Sequence, residues 1–175
     1  AIGYDPVEFN YEDWMRKDLP LIHIDTGPAD IASDYSVACQ VIGDIRQILE
    51  ALSGMDPIQH RWDLGALRAH RQKLYRALTP TQANFSPHHA LLAMREVLPE
   101  DSVLVADVGA HTHIIGQLWD TRGPGNFLVS NGWSSMGFGI PAAIAAKLVQ
   151  PERPVVACVG DGGFLMMVGE INTAV

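Results

Sequence analysis

The chain has 175 residues, 47% of them apolar, and a formal net charge of −8. That balance lacks the Lys and Arg surplus of a non-specific nucleic-acid binder, and no apolar run approaches the ~20 residues of a membrane span. An anionic ligand would need local help, from helix N-termini or a metal. The start, Ala1-Ile2-Gly3-Tyr4-Asp5, has no basic region and no long apolar run, so no secretory signal is expected. Cys39 and Cys158 fall in or near apolar runs and read as reduced core residues of a cytoplasmic protein, with a disulfide as the minor reading.

Residues 1–52 read as one unit. Leu19-Pro20-Leu21-Ile22-His23-Ile24-Asp25 is a short buried strand ending in an acid, and Val41-Ile42-Gly43 is a second, shorter strand. Asp44 is placed to cap a helix over 45–52, with Gly54 just past its end. Residues 53–85 read as a connector. Its helix, about 64–78, has a solvated face carrying Arg68, Arg71, Lys73 and Arg76, and Thr79-Pro80 ends it.

From Ser86 strands and helices alternate over 86–175. Ser86-Pro87 caps a helix over 88–98, with His88 and His89 on its surface. Residues 102–107 form an almost continuous apolar strand, as burial on both faces requires. A helix of about 112–119 follows, then a short strand at 127–129. The helix of about 136–148 is rich in Gly and Ala, and Pro141 is expected to loosen its first turns. Residues 154–159 form another buried strand, and a last helix starts near Leu165. The expected class is α/β, with parallel sheets and helices on both faces. The chain begins without Met and stops at Thr173-Ala174-Val175 inside an apparent helix, so a piece of a longer chain is expected.

In open α/β sheets ligands bind at the carboxyl ends of the strands. Three polar or glycine-rich turns fall there: Val108-Gly109-Ala110-His111, Ser130-Asn131-Gly132-Trp133-Ser134-Ser135-Met136, and Gly160-Asp161-Gly162-Gly163. The last is neither a P-loop nor a dinucleotide fingerprint, because no Lys follows and the glycine spacing differs. Without a Lys, a carboxylate among glycines suggests that Asp161 holds a Mg²⁺ that in turn holds phosphates. A tight turn with Asp161 as N-cap is an equal reading on these residues alone. Met136 would by itself read as core at a helix start. A metal pair at His111 and His113 is the weaker reading, since no third ligand suggests itself.

The segment Val159-Gly160-Asp161-Gly162-Gly163-Phe164 resembles the opening of the thiamine diphosphate signature. Residues 130–144 resemble the stretch before that signature in acetolactate synthases and related decarboxylases. Residues 107–111 resemble the family's diphosphate-contacting turn, and 3–9 with Trp14 and 22–25 resemble the end of the central domain of catabolic acetolactate synthases.

The resemblance implies the end of a central Rossmann-like domain over 1–52 and the start of the diphosphate-binding domain over 86–175. It implies thiamine diphosphate and Mg²⁺ as cofactors, with Asp161 as metal ligand. The cofactor would be bound through Val108, Gly109, Ala110, His111, Ser134, Ser135, Met136, Gly160, Asp161, Gly162 and Gly163. Met136 would support the V-shaped cofactor from below. In FAD-containing relatives the strand end matching Asp25 contacts FAD. Here Thr26-Gly27-Pro28 departs from the pattern, which puts FAD in doubt and leaves Asp25 a strand-end cap.

The implied activity is condensation of two pyruvates to 2-acetolactate and CO₂, by a homodimer or homotetramer. The activating Glu and second metal ligand would lie outside this chain, so the piece alone would be inactive. Two other readings stand: another thiamine diphosphate-dependent 2-keto acid decarboxylase or carboligase, and a non-catalytic α/β binding module.

Overall fold

The computed structural model describes residues 1–3, 16, 18–30, 35–56, 62–79, 81 and 84–175. Residues 4–15, which carry part of the resemblance, lie outside them. The chain divides into two compact units, 1–61 and 62–175.

In the first unit, β1 (Leu21–Asp25) and β2 (Val37–Ile42) pair in parallel. The second strand is longer than its apolar end predicts, because Val37 and Cys39 already pair with Leu21 and Ile22. Cys39 is therefore a strand residue on an exposed face, not core, and both cysteines are free thiols. Helix α1 (Ile45–Ser53) starts where Asp44 accepts the Gln47 N–H at 2.9 Å, as an N-cap should. His23 is buried, with Nε2 3.2 Å from the Gly27 carbonyl oxygen. The Asp25 carboxylate accepts the N–H of Thr26 at 2.6 Å and its hydroxyl at 3.2 Å, bonds that suit a strand-end cap.

The second unit opens with α2 (Leu64–Leu78), capped by Asp63 through the Ala66 N–H at 2.9 Å. Helix α3 (Pro87–Val97) follows. The Ser86 hydroxyl does not cap it but meets His89 Nδ1 at 2.8 Å, and both His88 and His89 are half-buried rather than surface residues.

Strands β3 (Val103–Ala106), β4 (Phe127–Val129) and β5 (Val155–Cys158) form one parallel sheet in the order β4-β3-β5. Central β3 is buried on both faces, which is why it reads as an unbroken apolar run. Side chains alternate along a strand. Leu104 and Ala106 point to one face, where Leu91 of α3 and Ile115 of α4 (Ala110–Leu118) complete the core. Val103 and Val105 point to the other. Helix α5 (Gly139–Val149) packs there, its first glycine lying against the Cβ of Asp107.

Three helices begin elsewhere than their sequence patterns suggest. Helix α4 starts at Ala110, α5 at Gly139, and α6 (Asp161–Met167) inside the glycine turn, taking in Gly162 and Gly163. Glycine is a poor interior helix residue, so Gly162 and Gly163 read as turn. Pro141 does not loosen α5, because it sits in the first turn, where a missing N–H costs nothing. A 3₁₀ turn (Val168–Glu170) and a short α7 (Ile171–Ala174) follow α6.

Candidate functional site

The order β4-β3-β5 creates a switch point. The chain leaves β3 for one neighbour, then crosses back to pair β5 on its other side. In open α/β sheets ligands bind beside such a point, at the carboxyl ends of the strands. Residues 107–111 and 159–163 follow the carboxyl ends of β3 and β5.

Thr112 fixes the first turn. Its hydroxyl accepts the Gly109 N–H at 3.1 Å and donates to the Asp107 carbonyl. The His111 ring lies against Gly109 and Gly160; a Cβ on Gly109 would come within 2.9 Å of Nδ1 and Cε1, and one on Gly160 within 3.5 Å of Cε1. The two turns thus meet at one imidazole. His111 Nε2 is buried and has no hydrogen-bond partner among the described residues. His113 is exposed and takes no part in this contact.

The turn after β4 has unusual backbone geometry. Ser134 adopts φ 46°, and Gly132 and Gly137 adopt 73° and 87°. The left-handed region costs a non-glycine residue, and such strain persists only where surroundings enforce it. The Ser134 hydroxyl donates to the Ser130 carbonyl at 3.2 Å. Trp133 stands almost fully in solvent. Met136 is 45% exposed, so it is not a core residue, and its Cε lies 2.7 Å from where a Cβ on Gly162 would stand.

Asp161 opens α6 with its side chain exposed; its Oδ1 accepts the Gly162 N–H at 2.9 Å. Among the described residues no group of three or more His, Cys, Asp or Glu is assembled for a metal. A metal held at Asp161 would need ligands from elsewhere, such as phosphate oxygens. The donor set suits a diphosphate carried by a hard cation: one exposed carboxylate, glycines that leave backbone approachable, and an unpartnered imidazole nitrogen.

Sequence reasoning placed Asp107 in the turn after β3 but gave it no role of its own. It is fully buried, and its carboxylate accepts the N–H groups of Gly137 and Phe138, each at 3.1 Å. The same carboxylate abuts Gly163, where a Cβ would overlap Oδ2. One side chain after β3 thus touches the turns after both β4 and β5. The only available signal is an acidic residue directly after a wholly apolar strand.

A separate groove of 840 Å³ lies between α2 and α3, lined by Arg68, Arg71, Arg95, Arg122, Glu100 and Asp120 among others. Its charges largely neutralise one another: Asp120 pairs with Arg71 at 3.5 Å and with Arg122 at 3.1 Å. It lies away from the strand ends and reads as a surface ion-pair network.

The model of the C-terminal TPP binding domain of thiamine pyrophosphate enzymes matches residues 107–175, the segment that carries all three turns. Over these residues the chain is similar to the thiamine pyrophosphate enzymes. The catabolic acetolactate synthase of Raoultella terrigena is 35% identical over 100% of this chain and 33% of that protein. An acetolactate synthase of Bacillus subtilis is 32% identical over 100% of the chain and 32% of its own length. A probable 2-ketoarginine decarboxylase of Pseudomonas aeruginosa is 34% identical over 93% of the chain and 30% of its length. The chain thus spans about a third of the length of these curated relatives. Among the described residues no helix is long and apolar enough to cross a membrane.

Proposed function

We propose that this chain supplies part of the cofactor site of an acetolactate synthase, which condenses two pyruvates to 2-acetolactate and CO₂. The observation that carries the reading is the meeting of three turns at the sheet's switch point. There the His111 ring joins Gly109 to Gly160, and Met136 stands over Gly162.

Asp161 would ligate Mg²⁺, and the backbone of 160–163 would admit the diphosphate oxygens bound to that ion. Val108, Gly109 and Ala110 would line the other side, with His111 Nε2 donating to or accepting from the bound group. Ser134, Ser135 and Met136 would flank the rest of the cofactor, Met136 as a steric support. Bound thiamine pyrophosphate supplies the electron sink on which a 2-keto acid loses CO₂. The chain's part is to orient that group and keep water from it.

Residues 1–52 are the tail of the central domain in this reading, 53–85 a connector and 86–175 the start of the diphosphate-binding domain. The whole protein would be cytoplasmic and a homodimer or homotetramer. Identity spread over the whole chain to two acetolactate synthases favours pyruvate as donor and acceptor. The 34% identity to a 2-ketoarginine decarboxylase supports a second reading, simple decarboxylation of another 2-keto acid.

Product analysis separates the two. The full-length protein, given pyruvate, thiamine pyrophosphate and Mg²⁺, should form 2-acetolactate with one CO₂ per two pyruvates. CO₂ and aldehyde in equal amounts from another 2-keto acid, with no 2-acetolactate, would establish the second reading instead.

A further inference from the structure

We propose that Asp107 is a positioning residue, whose carboxylate ties the turn bearing Met136 to the glycine loop bearing Asp161. The role of these turns in holding the cofactor rests on the function proposed above; the tie itself does not.

A fully buried carboxylate with no basic partner is costly, so its position must be specified by other donors. No ion pair involves Asp107 among the described residues. Its two oxygens instead take one N–H each: Gly137 to Oδ2 and Phe138 to Oδ1. These N–H groups belong to Phe138, the N-cap of α5, and to Gly137 just before it, where the helix offers no partner. A negative charge there is also favoured by the helix dipole. Asp107 thus caps α5 from a different strand, across 30 residues of sequence.

The carboxylate has no spare room. Gly163 abuts it on the side of the loop after β5, and Gly139 abuts its Cβ, where an added Cβ would lie 2.9 Å away. Both neighbours are glycines because a side chain would displace Asp107. The turn it holds bends through the left-handed region at Ser134 and Gly137. The left-handed φ is unfavourable at Ser134, a non-glycine residue, and Asp107 holds the end of the same turn at Gly137 and Phe138. Met136 immediately precedes Gly137, so the two hydrogen bonds fix where Met136 stands relative to Gly162.

Asn has nearly the shape of Asp but only one acceptor oxygen, and its NH₂ would confront an N–H. Asp107→Asn therefore tests the two bonds without opening a cavity. The first readout is amide hydrogen exchange at single-residue resolution in the full-length protein, without cofactor. In the unsubstituted protein Gly137 and Phe138 should be protected although they precede the helix. In Asp107→Asn their exchange should rise by at least about tenfold, the loss of a buried charge-assisted bond, while Leu104 stays protected. Free exchange at both amides in the unsubstituted protein overturns the proposal, whether or not the variant folds. Gly163→Ala, which crowds the carboxylate without removing it, should expose the same two amides; continued protection there also counts against it.

The second readout is turnover set against cofactor affinity. Asp107→Asn should bind thiamine pyrophosphate with Mg²⁺ within about threefold of normal yet turn over at least about tenfold slower at saturation. Loosened amides with unchanged turnover would make Asp107 a purely structural cap and overturn the positioning role. If the unsubstituted protein binds no thiamine pyrophosphate, the proposed function fails, and the exchange result still decides the tie.

Discussion

The Cε of Met136 lies over Gly162, so close that a Cβ on that glycine would stand 2.7 Å from it. These residues come from turns after different strands, and their contact makes the glycine's lack of a side chain part of the site. The far end of a Met is flexible, so an added methyl would push Met136 aside without unfolding anything. Gly162→Ala should therefore keep its melting temperature within a few degrees while turnover falls roughly ten- to a hundredfold through misplacement of the support. Full turnover in a well-folded Gly162→Ala variant would show that the position of Met136 is unimportant.

Met136 itself can be probed for function against packing. Met136→Leu keeps volume and should be mild. Met136→Ala should lower turnover with little change in cofactor affinity, a loss expressed in the transition state. A core methionine would instead lose about 2–5 kcal/mol of stability on truncation. At 45% exposure Met136 should not. Denaturant unfolding and turnover of the same variant decide the matter: a destabilised protein with normal activity per folded molecule removes the support role.

Leu104 provides the contrasting case. It is fully buried at the centre of the sheet, packed with Leu91 and Ile115. Leu104→Ala should cost about 2–5 kcal/mol, read as a lower denaturant midpoint. A loss below about 1 kcal/mol would contradict a close-packed core there.

The two thiols should differ in reactivity. Cys39 is exposed, whereas burial pushes the Cys158 thiol above its ordinary pKa. The thiolate is the reactive form, so Cys158 has less of it at any given pH. Iodoacetamide at mildly alkaline pH should label Cys39 first, with Cys158 following as pH rises or as the fold opens. Mass spectrometry showing Cys158 labelled first would contradict the burial pattern.

The fold is more legible in the sequence than the site. The apolar run around Val105 marks a strand covered on both faces, whereas β5 around Val156, read as buried, is only half-buried with Ala157 exposed; Asp44 and Ser86-Pro87 announce helices through local chemistry. Helix starts among glycines are less legible: tertiary contacts, not propensity, begin α6 at Asp161. Cys39 looks like core because its neighbours are apolar, yet its strand is largely exposed. The turns around Gly109, Met136 and Asp161 can be picked out by composition and position. Asp107 cannot, since its bonds to Gly137 and Phe138 span some 30 residues and leave no periodic trace. The contact of Met136 with Gly162 is hidden for the same reason.

Asp161 gives the most direct test of the central claim. Its side chain is exposed and, among the described residues, bonds only to the neighbouring Gly162 N–H, so Asp161→Ala should change stability by about 0.5 kcal/mol or less. Titration of the full-length protein with thiamine pyrophosphate, followed calorimetrically with Mg²⁺ and again with excess chelator, measures what the carboxylate does. The unsubstituted protein should bind only when Mg²⁺ is present, and folded Asp161→Ala should bind in neither condition. Equal, Mg²⁺-dependent affinity in the two proteins would show that Asp161 does not hold the metal.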